Sequence, residues 1–306
     1  MKIYFCFIFC LFFSFEAFAK TIESIHFKSP DKKYPGKDDV VAELYLPKNT
    51  TEKLPVIITQ HGSSRDTHKF KRSKGKSDEY SKRIIKRGLK EGYAVVAIDA
   101  FYKKNIKPTD KKKFPQGTDY AIALKKILAK DSRLDANNFF YTGFSWGAEK
   151  TLGYFHPKSY KNDPYPFKAI VAAEPGCNAV IEPTKVNFAT LILKGEESHY
   201  YYQACETYTN MIKQTGSKVE YILMPKVNHF FSTKGKIGKG VAFNGCSKDI
   251  AIFGIDRKVR WFSGAQTSRK EVIKKCMTKE SGSGKNRKKL NEAINYAFIF
   301  FNKYKN

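Results

Sequence analysis

The sequence predicts an α/β protein in which a mostly parallel sheet is covered by helices on both faces. Three observations favour this fold class. Short, continuously apolar segments alternate with amphipathic segments along most of the chain, a pattern typical of strands buried on both faces. A strand, a glycine-rich turn and a helix are predicted in succession over residues 138–154. The chain has 306 residues, enough for one large domain, and we see no linker that would divide it.

The predicted elements follow the period of the apolar residues. Residues 21–27 and 40–46 are expected to form antiparallel opening strands. Buried strands are expected at residues 54–59, 93–98, 138–140, 169–173, 190–193 and 219–224. Helical spacing of apolar residues predicts helices at residues 78–90, 116–130, from 148 onward, 203–215 and 290–304.

The turn between the strand at 138–140 and the next helix has the pattern G-x-S-x-G, formed by Gly143, Ser145 and Gly147. A sharp strand-to-helix turn needs glycines, and it presents a serine at the C-terminal edge of the sheet. The pattern alone is weak, but its strand–turn–helix context indicates a nucleophile elbow. The alternative is a glycine-rich turn whose serine only caps the helix.

His229 is the best candidate for a general base. It follows the last predicted strand, lies C-terminal to Ser145 and is flanked by aromatic residues. A serine hydroxyl is a poor nucleophile at neutral pH, so it needs a neighbouring imidazole to take its proton. The competing histidines are His26 in an opening strand, His68 in a lysine-rich loop and His156 after the elbow helix.

A triad acid is expected between the serine and the histidine in the chain. We expect it after the strand at residues 190–193, where Glu196 and Glu197 follow Gly195 and no aspartate is present. Glu197 is the preferred acid and Glu196 the alternative. An exposed acidic turn without a catalytic role is the other interpretation.

Two backbone N–H groups are candidates for an oxyanion hole. His61 and Gly62 follow the strand at residues 54–59, and this turn can aim the N–H of Ser63 or Ser64 into the cleft. The N–H of Trp146 would be the second donor. The side chain of His61 is expected to be structural.

Taken together, these motifs resemble the dienelactone hydrolase family of α/β-hydrolases, over roughly residues 55–229. The similarity is to an exported branch with a Gly-x-Ser-Trp-Gly elbow. It rests on the segments Arg133-Leu134-Asp135, residues 141–147, His61-Gly62, Pro175-Gly176-Cys177, residues 191–197 and Asn228-His229-Phe230. The resemblance implies an α/β-hydrolase fold with Ser145 as nucleophile, His229 as base, an acid in the Gly195 loop, and oxyanion donors near Ser63 and Trp146. The acid loop of the family usually reads Gly-x-x-Asp, whereas the third position after Gly195 here is Ser198.

The implied activity is hydrolysis of a small-molecule carboxylic ester by a Ser-His-Glu triad through an acyl-enzyme, without a metal or organic cofactor. A serine peptidase or acyltransferase on the same fold is an alternative. Another is an inactive protein of this fold that binds an anionic envelope ligand. Tyr200, Tyr201 and Tyr202 follow the expected acid loop and either line the cleft or serve as ordinary packing.

Residues 1–19 are typical of a cleavable signal peptide. Lys2 precedes an almost wholly apolar run at residues 3–15, and Ala17-Phe18-Ala19 fits the small-x-small cleavage pattern. We expect cleavage after Ala19 and a secreted or periplasmic mature protein. An uncleaved anchor is the alternative.

Four of the six cysteines lie after this segment. An even number in an exported protein suggests two disulfides. Because each is the nearest partner in sequence, we favour pairing Cys177 with Cys205 and Cys246 with Cys276 among the three pairings that four cysteines allow. A zinc site is disfavoured because no C-x-x-C pair is present.

The formal net charge is +27, with lysines concentrated in residues 69–76, 103–113 and 285–289. Such a charge favours anionic partners, and contact with an anionic cell-envelope surface is one interpretation. A solvated lysine surface is the interpretation we favour. Nucleic acid is not expected as a partner, because the clusters lack interleaved aromatics and a recognition motif. Residues 232–288 form a basic insertion in the predicted domain at 20–306, and a cover over the cleft is one interpretation of it.

Overall fold

A computed structural model describes residues 21–306 except 29–30, 32, 35–38, 49–50, 64–77, 105, 108–109, 233–235, 244–245 and 285. The predicted signal peptide at residues 1–19, Ser64, His68 and the lysine cluster at residues 69–76 lie outside the described residues.

The strands are β1 Thr21–Lys28, β2 Asp39–Leu46, β3 Leu54–Gln60, β4 Ala94–Asp99, β5 Leu134–Phe144, β6 Phe167–Ala173, β7 Ala179–Ile181, β8 Ala189–Gly195, β9 Val219–Met224, β10 Lys236–Phe243, β11 Ala251–Phe253, β12 Val259–Trp261, β13 Gln266–Thr267 and β14 Met277–Ser283. The helices are α1 Glu79–Lys90, α2 Gly117–Leu128, α3 Trp146–Leu152, α4 Pro157–Tyr160, α5 Tyr202–Gln214, α6 Arg269–Cys276 and α7 Arg287–Tyr304.

Eight strands form the central sheet, in the order β1-β2-β4-β3-β5-β6-β8-β9. The first two are antiparallel to their neighbours, and the pairs from β4 to β9 are parallel. The predicted fold class and the antiparallel opening strands are therefore confirmed. Because parallel strands end at the same edge, the turns after β3, β5, β6, β8 and β9 lie along one edge of the sheet.

Helices cover both faces of this sheet, so its strands are buried on both sides. On β3, Val56 and Ile58 belong to one core, which includes residues of α2, α3 and α5. Ile57 points to the opposite face, where a second core is completed by residues of α1 and α7. The predicted helix at residues 78–90 is α1, and Asp78 caps its first turn by accepting the N–H of Ser81 at 2.7 Å.

The expected basic insertion at residues 232–288 contains elements that the sequence did not predict. Strands β10 and β14 pair with each other, and β11, β12 and β13 form a small sheet whose edge strand β7 comes from the segment after β6. The predicted disulfide between Cys246 and Cys276 lies in its core beside Trp261. The predicted disulfide between Cys177 and Cys205 joins the segment after β6 to α5. Both pairings are confirmed.

No helix within the described residues is long and apolar enough to span a bilayer.

Candidate active site

Ser145 lies at the apex of a strained turn between β5 and α3. Its φ of 55° and ψ of −119° place it outside the regions that L-residues prefer. The turn is possible because its two glycines allow the backbone to pass close by. A Cβ on Gly147 would lie 2.2 Å from the carbonyl oxygen of Gln60, and one on Gly143 would lie 2.4 Å from the carbonyl carbon of Gly147. The turn that the G-x-S-x-G pattern forms therefore has the geometry of a nucleophile elbow.

The histidine after β9 reaches this serine. The Oγ atom of Ser145 lies 2.8 Å from Nε2 of His229, across 84 residues of sequence. The His229 side chain is 7% exposed, and its ring packs against those of Phe144 and Tyr200, at centroid distances of 5.8 and 4.8 Å. Parallel pairing brings the two groups together, because the turns after β5 and β9 lie at the same edge of the sheet.

A carboxylate contacts the other nitrogen of this imidazole, and it belongs to Glu174. Its Oε2 atom lies 3.0 Å from Nδ1 of His229. Glu174 directly follows β6, where a φ of 59° turns the chain sharply. Its side chain is 1% exposed. Ser145, His229 and Glu174 thus form one continuous hydrogen-bonded chain.

The chemistry of the partners assigns the protons in this chain. An ionised carboxylate only accepts hydrogen bonds, so the imidazole carries its proton on Nδ1 and donates it to Glu174. The unprotonated Nε2 then accepts the hydroxyl proton of Ser145. Burial would raise the pKa of Glu174, but the Lys194 ammonium and the hydrogen bond from His229 outweigh it and lower that pKa to about 2. Burial lowers the pKa of His229, against the opposing effect of Glu174, and so favours the neutral imidazole that a base must be.

The turn after β3 lies beside the elbow. A Cβ on Gly62 would lie 3.5 Å from Cβ of Ser145. His61 is fully buried, and its Nε2 accepts the N–H of Ala100 at 3.2 Å, so its proton is on Nδ1 and is donated to the carbonyl of Gly62 at 2.8 Å. In a trans peptide the N–H points opposite to the C=O, so this contact turns the N–H of Ser63 away from His61. The side chain of His61 therefore has the structural role expected from the sequence.

The second expected oxyanion donor is the N–H of Trp146, which follows the serine of the elbow. The N–H of Ser145 itself is donated to the carbonyl of Ala173 at 2.9 Å. Trp146 begins α3, and N–H groups in the first turn of a helix have no acceptor within that helix. The N–H groups of Ser63 and Trp146 stay the predicted oxyanion donors.

Comparisons with known proteins agree with this architecture. The model of the BD-FAE family matches residues 42–157. A Klebsiella pneumoniae protein assigned as a dienelactone hydrolase is 19% identical, with a TM-score of 0.51 over 69% of this chain and 88% of its own. An esterase from Pyrobaculum calidifontis is 15% identical, with a TM-score of 0.52 over 69% of this chain and 78% of its own. Esterase 2 from Thermogutta terrifontis, phosphoramylated by tabun, is 12% identical, with a TM-score of 0.52 over 69% and 85%. No curated protein matches the sequence.

The chain has the α/β-hydrolase fold.

In this α/β-hydrolase fold, the acid next to the histidine differs from the one expected. Glu196 and Glu197 are exposed, and they occupy the turn after β8 rather than the interior. The carboxylate of Glu196 accepts the N–H of Lys226 at 3.2 Å, and the backbone N–H of Glu197 is donated to the carbonyl of Val227 at 2.9 Å. The turn therefore directs both side chains to solvent, and the expectation of Glu197 as the residue that orients the imidazole is wrong in its geometry.

The sequence contained a signal for Glu174 that the prediction missed. The strand expected at residues 169–173 is followed directly by this glutamate, so the strand end after residue 193 is not unique in carrying carboxylates. The position where the resembling family has its aspartate is occupied by Ser198, whose hydroxyl donates to Oε2 of Glu174 at 2.9 Å. In the α/β-hydrolase fold of this chain, the carboxylate thus comes from the neighbouring strand and reaches the expected place.

The surroundings of His229 are aromatic. Tyr200 is 7% exposed and lies against the imidazole, whereas Tyr201 is 54% exposed. His199, which the sequence did not single out, has its ring 5.0 Å from that of His229 and stacks on Phe230 at 5.1 Å. Burial is the main cause that lowers the pKa of His199, to about 3.

The competing histidines that the structure describes have other contacts. His26 lies on β1 with its ring 6.0 Å from that of Tyr102, and Nδ1 of His156 accepts the N–H of Lys158 at the start of α4. Among the described residues, no group of three His, Cys, Asp or Glu side chains is arranged to hold a metal ion.

Proposed function

We propose that this chain is an exported serine hydrolase that cleaves carboxylic esters with the triad Ser145, His229 and Glu174. One observation carries the proposal: the serine Oγ lies 2.8 Å from Nε2 of the histidine, and the glutamate Oε2 lies 3.0 Å from its Nδ1. A serine, an imidazole and a carboxylate in this order are the groups that acyl transfer needs.

In the proposed reaction, Ser145 attacks the ester carbonyl while His229 takes its hydroxyl proton. The negative charge that develops on the carbonyl oxygen is stabilised by the N–H groups of Ser63 and Trp146. The imidazolium is stabilised by the Glu174 carboxylate and gives its proton to the leaving alcohol. Water then enters, loses a proton to His229 and hydrolyses the acyl-enzyme by the same route. The reaction uses no metal or organic cofactor.

The comparisons support an ester as the substrate. The similar structures include two esterases, and one of these, Thermogutta terrifontis esterase 2, is phosphoramylated by tabun. The position of Glu174 also weakens the hypothesis of an inactive protein, because a carboxylate contacts His229 although position 198 is a serine rather than an aspartate. The two disulfides support the proposed export, because such bonds persist in oxidising compartments.

We propose the insertion at residues 232–288 as a cover over the cleft. The support is its attachment, since it starts and ends beside the His229 loop. The N–H of Asn286 is donated to the carbonyl of Phe231 at 3.2 Å, and a Cβ on Gly284 would lie 2.5 Å from Oδ1 of Asn228.

The test compares mature protein with Ser145→Ala on short-chain nitrophenyl esters. Loss of the nucleophile should reduce kcat by roughly 10⁴-fold or more, as it does in the best-studied triad. A fluorophosphonate should label the wild type at Ser145 and should not label the variant. Hydrolysis of peptides rather than esters would favour the peptidase alternative. Wild-type protein that neither hydrolyses esters nor reacts with the fluorophosphonate would contradict the proposal and favour the inactive binding protein.

A further inference from the structure

A buried lysine lies directly behind the triad acid. Lys194 is the penultimate residue of β8, and its side chain is 0% exposed. Its Nζ atom lies 3.1 Å from Oε2 of Glu174, 3.1 Å from the carbonyl of Pro175 and 2.9 Å from Oγ of Ser198. A lysine without exposure is rare, because burying an ammonium is costly unless it is paired and hydrogen-bonded.

These contacts require the charged form of the amine. The carboxylate and the carbonyl only accept hydrogen bonds. The hydroxyl of Ser198 gives its own proton to Glu174 at 2.9 Å, so it too accepts from Lys194. Three donors are needed, and an ammonium has three, whereas a neutral amine has two.

The carboxylate of Glu174 is likewise held from several sides. Its Oε1 accepts the N–H of Gly195, and its Oε2 accepts from Lys194, Ser198 and His229. Gly195 lets it approach, because a Cβ at that position would lie 2.8 Å from Oε1. The lysine and the imidazole therefore share a single oxygen atom, and both orient it.

We propose that Lys194 is a positioning residue for catalysis, which holds the Glu174 carboxylate against His229 and keeps it ionised. The inference rests on the proposed function of the triad. It explains how a glutamate from β6 can serve a histidine whose expected acid would follow β8: the end of β8 supplies the cation, the hydroxyl and the N–H that hold it in place. A cation at this point also has a cost, since it repels the imidazolium that forms during the reaction.

Other charged or titratable groups also face this site. Lys111, from the 3-10 turn that precedes α2, repels a charge on His229, and His199 after β8 lies against the same ring. Glu149 of α3 attracts the charge on Lys194. Of the two lysines, Lys194 is the one with a hydrogen bond to Glu174 in the described part of the chain.

The experiment replaces the lysine and measures ester hydrolysis against pH. Lys194→Met should lower kcat/KM by about 10²-fold, mainly through kcat, because a carboxylate that is out of place no longer orients the imidazole. The midpoint of the acid limb of the profile should fall in this variant, because the hydrogen bond and the charge of Glu174, which raise the pKa of His229 more than Lys194 lowers it, are no longer in place. Lys194→Gln keeps two donors but no charge, so it should hold the carboxylate better and lose less rate. Its midpoint should rise, because the imidazolium has lost a neighbouring cation and kept its carboxylate. This variant decides the test if the methionine variant does not fold.

The matched control is Lys125→Met. Lys125 is also fully buried and paired with a carboxylate, that of Asp163, but it lies beside Phe167 at the opposite end of β6 from Glu174. The Lys125→Met variant should have a lower midpoint of thermal unfolding. Its kcat/KM per folded molecule and the acid limb of its pH profile should be unchanged.

A second comparison separates positioning from packing. In a Glu174→Gln background, Lys194→Met should cause no further loss of kcat, because the group that it positions is already gone. An equal loss in both backgrounds, or an acid limb that stays in place in both lysine variants, would overturn the inference. Wild-type protein without esterase activity or fluorophosphonate labelling would instead overturn the proposed function, so the two failures are distinguishable.

Discussion

The ends of β6 and β8 lie side by side in the sheet, and both carry glutamate. After β6, Glu174 is buried and contacts a lysine, a serine, a backbone N–H and the imidazole of His229. After β8, Glu196 and Glu197 are exposed and belong to a turn that packs on the loop after β9. The two strand ends have the same chemical group in opposite environments.

The difference teaches that a carboxylate becomes a partner of the histidine through its surroundings rather than through the loop on which it lies. An ionised group is retained in the interior where cations and donors compensate for lost water. Those groups sit at the end of β8, but they face Glu174 of the neighbouring strand. The end of β6 thus supplies the carboxylate, and the end of β8 supplies the groups that hydrogen-bond it.

Glu174→Gln should have the largest effect. The amide cannot stabilise the imidazolium and favours the wrong tautomer, so kcat on a nitrophenyl ester should fall by about 10⁴-fold, as in the analogous change in a serine protease. Glu197→Gln makes the same chemical change at the exposed strand end and should leave kcat within about twofold, because its surroundings are solvent. If the Glu197 variant loses activity and the Glu174 variant keeps it, the comparison between the two strand ends is reversed.

The two disulfides allow a second matched pair. Their sequence separations are 28 and 30 residues, so the chain-entropy model gives them similar weight, about 3 to 4 kcal/mol of unfolding free energy each. The double change Cys177→Ser and Cys205→Ser loosens the segment after Glu174, and it should reduce ester hydrolysis as well as stability. The double change Cys246→Ser and Cys276→Ser lies in the insertion and should reduce stability with a smaller loss of ester hydrolysis. Denaturant titration and kcat measured on both double variants check this, and equal losses of activity in both would contradict it.

The pH profile gives the smallest effect. Burial lowers the pKa of His229, and the imidazole must be neutral to accept the serine proton. Activity is therefore present above that pKa and lost as the pH falls through it, so the midpoint of kcat/KM should lie below about 6.5, the ordinary value for histidine. Glu197→Gln should not move the midpoint. A midpoint above the ordinary value would show that burial is not what governs this imidazole.

Much of the fold was predictable because its signals are local. Continuous apolar runs indicated β3 and β4, helical spacing indicated α1 and α2, and the elbow needs only a strand, two glycines and a helix. The short strands β7 and β11 were missed, because three residues are too few to establish a period. Their pairing depends on contacts between distant segments, which the sequence pattern does not contain.

The candidate site also contains residues that were predictable from local signals and one that was not. Ser145 and His229 follow strands with distinctive neighbours, so the sequence singles them out, and the structure brings them within hydrogen-bonding distance. Glu174 also follows a strand, but the cation that pairs with its buried carboxylate is Lys194, 20 residues further along the chain. Burial of that pair is a property of the folded sheet, and a loop motif on its own pointed to the wrong strand end.

The parallel ladder between β7 and β11 has a consequence for any attempt to shorten the chain. Strand β7 follows Cys177 closely, and the partner recorded for it in the described part of the chain is β11, inside the insertion. Deleting residues 232–288 would therefore not yield a smaller folded domain. It would remove the partner of β7 and leave the backbone groups of that edge unpaired, and an exposed strand edge promotes intermolecular pairing. Truncation is thus expected to yield aggregates, and the insertion is better altered at its exposed turns than removed.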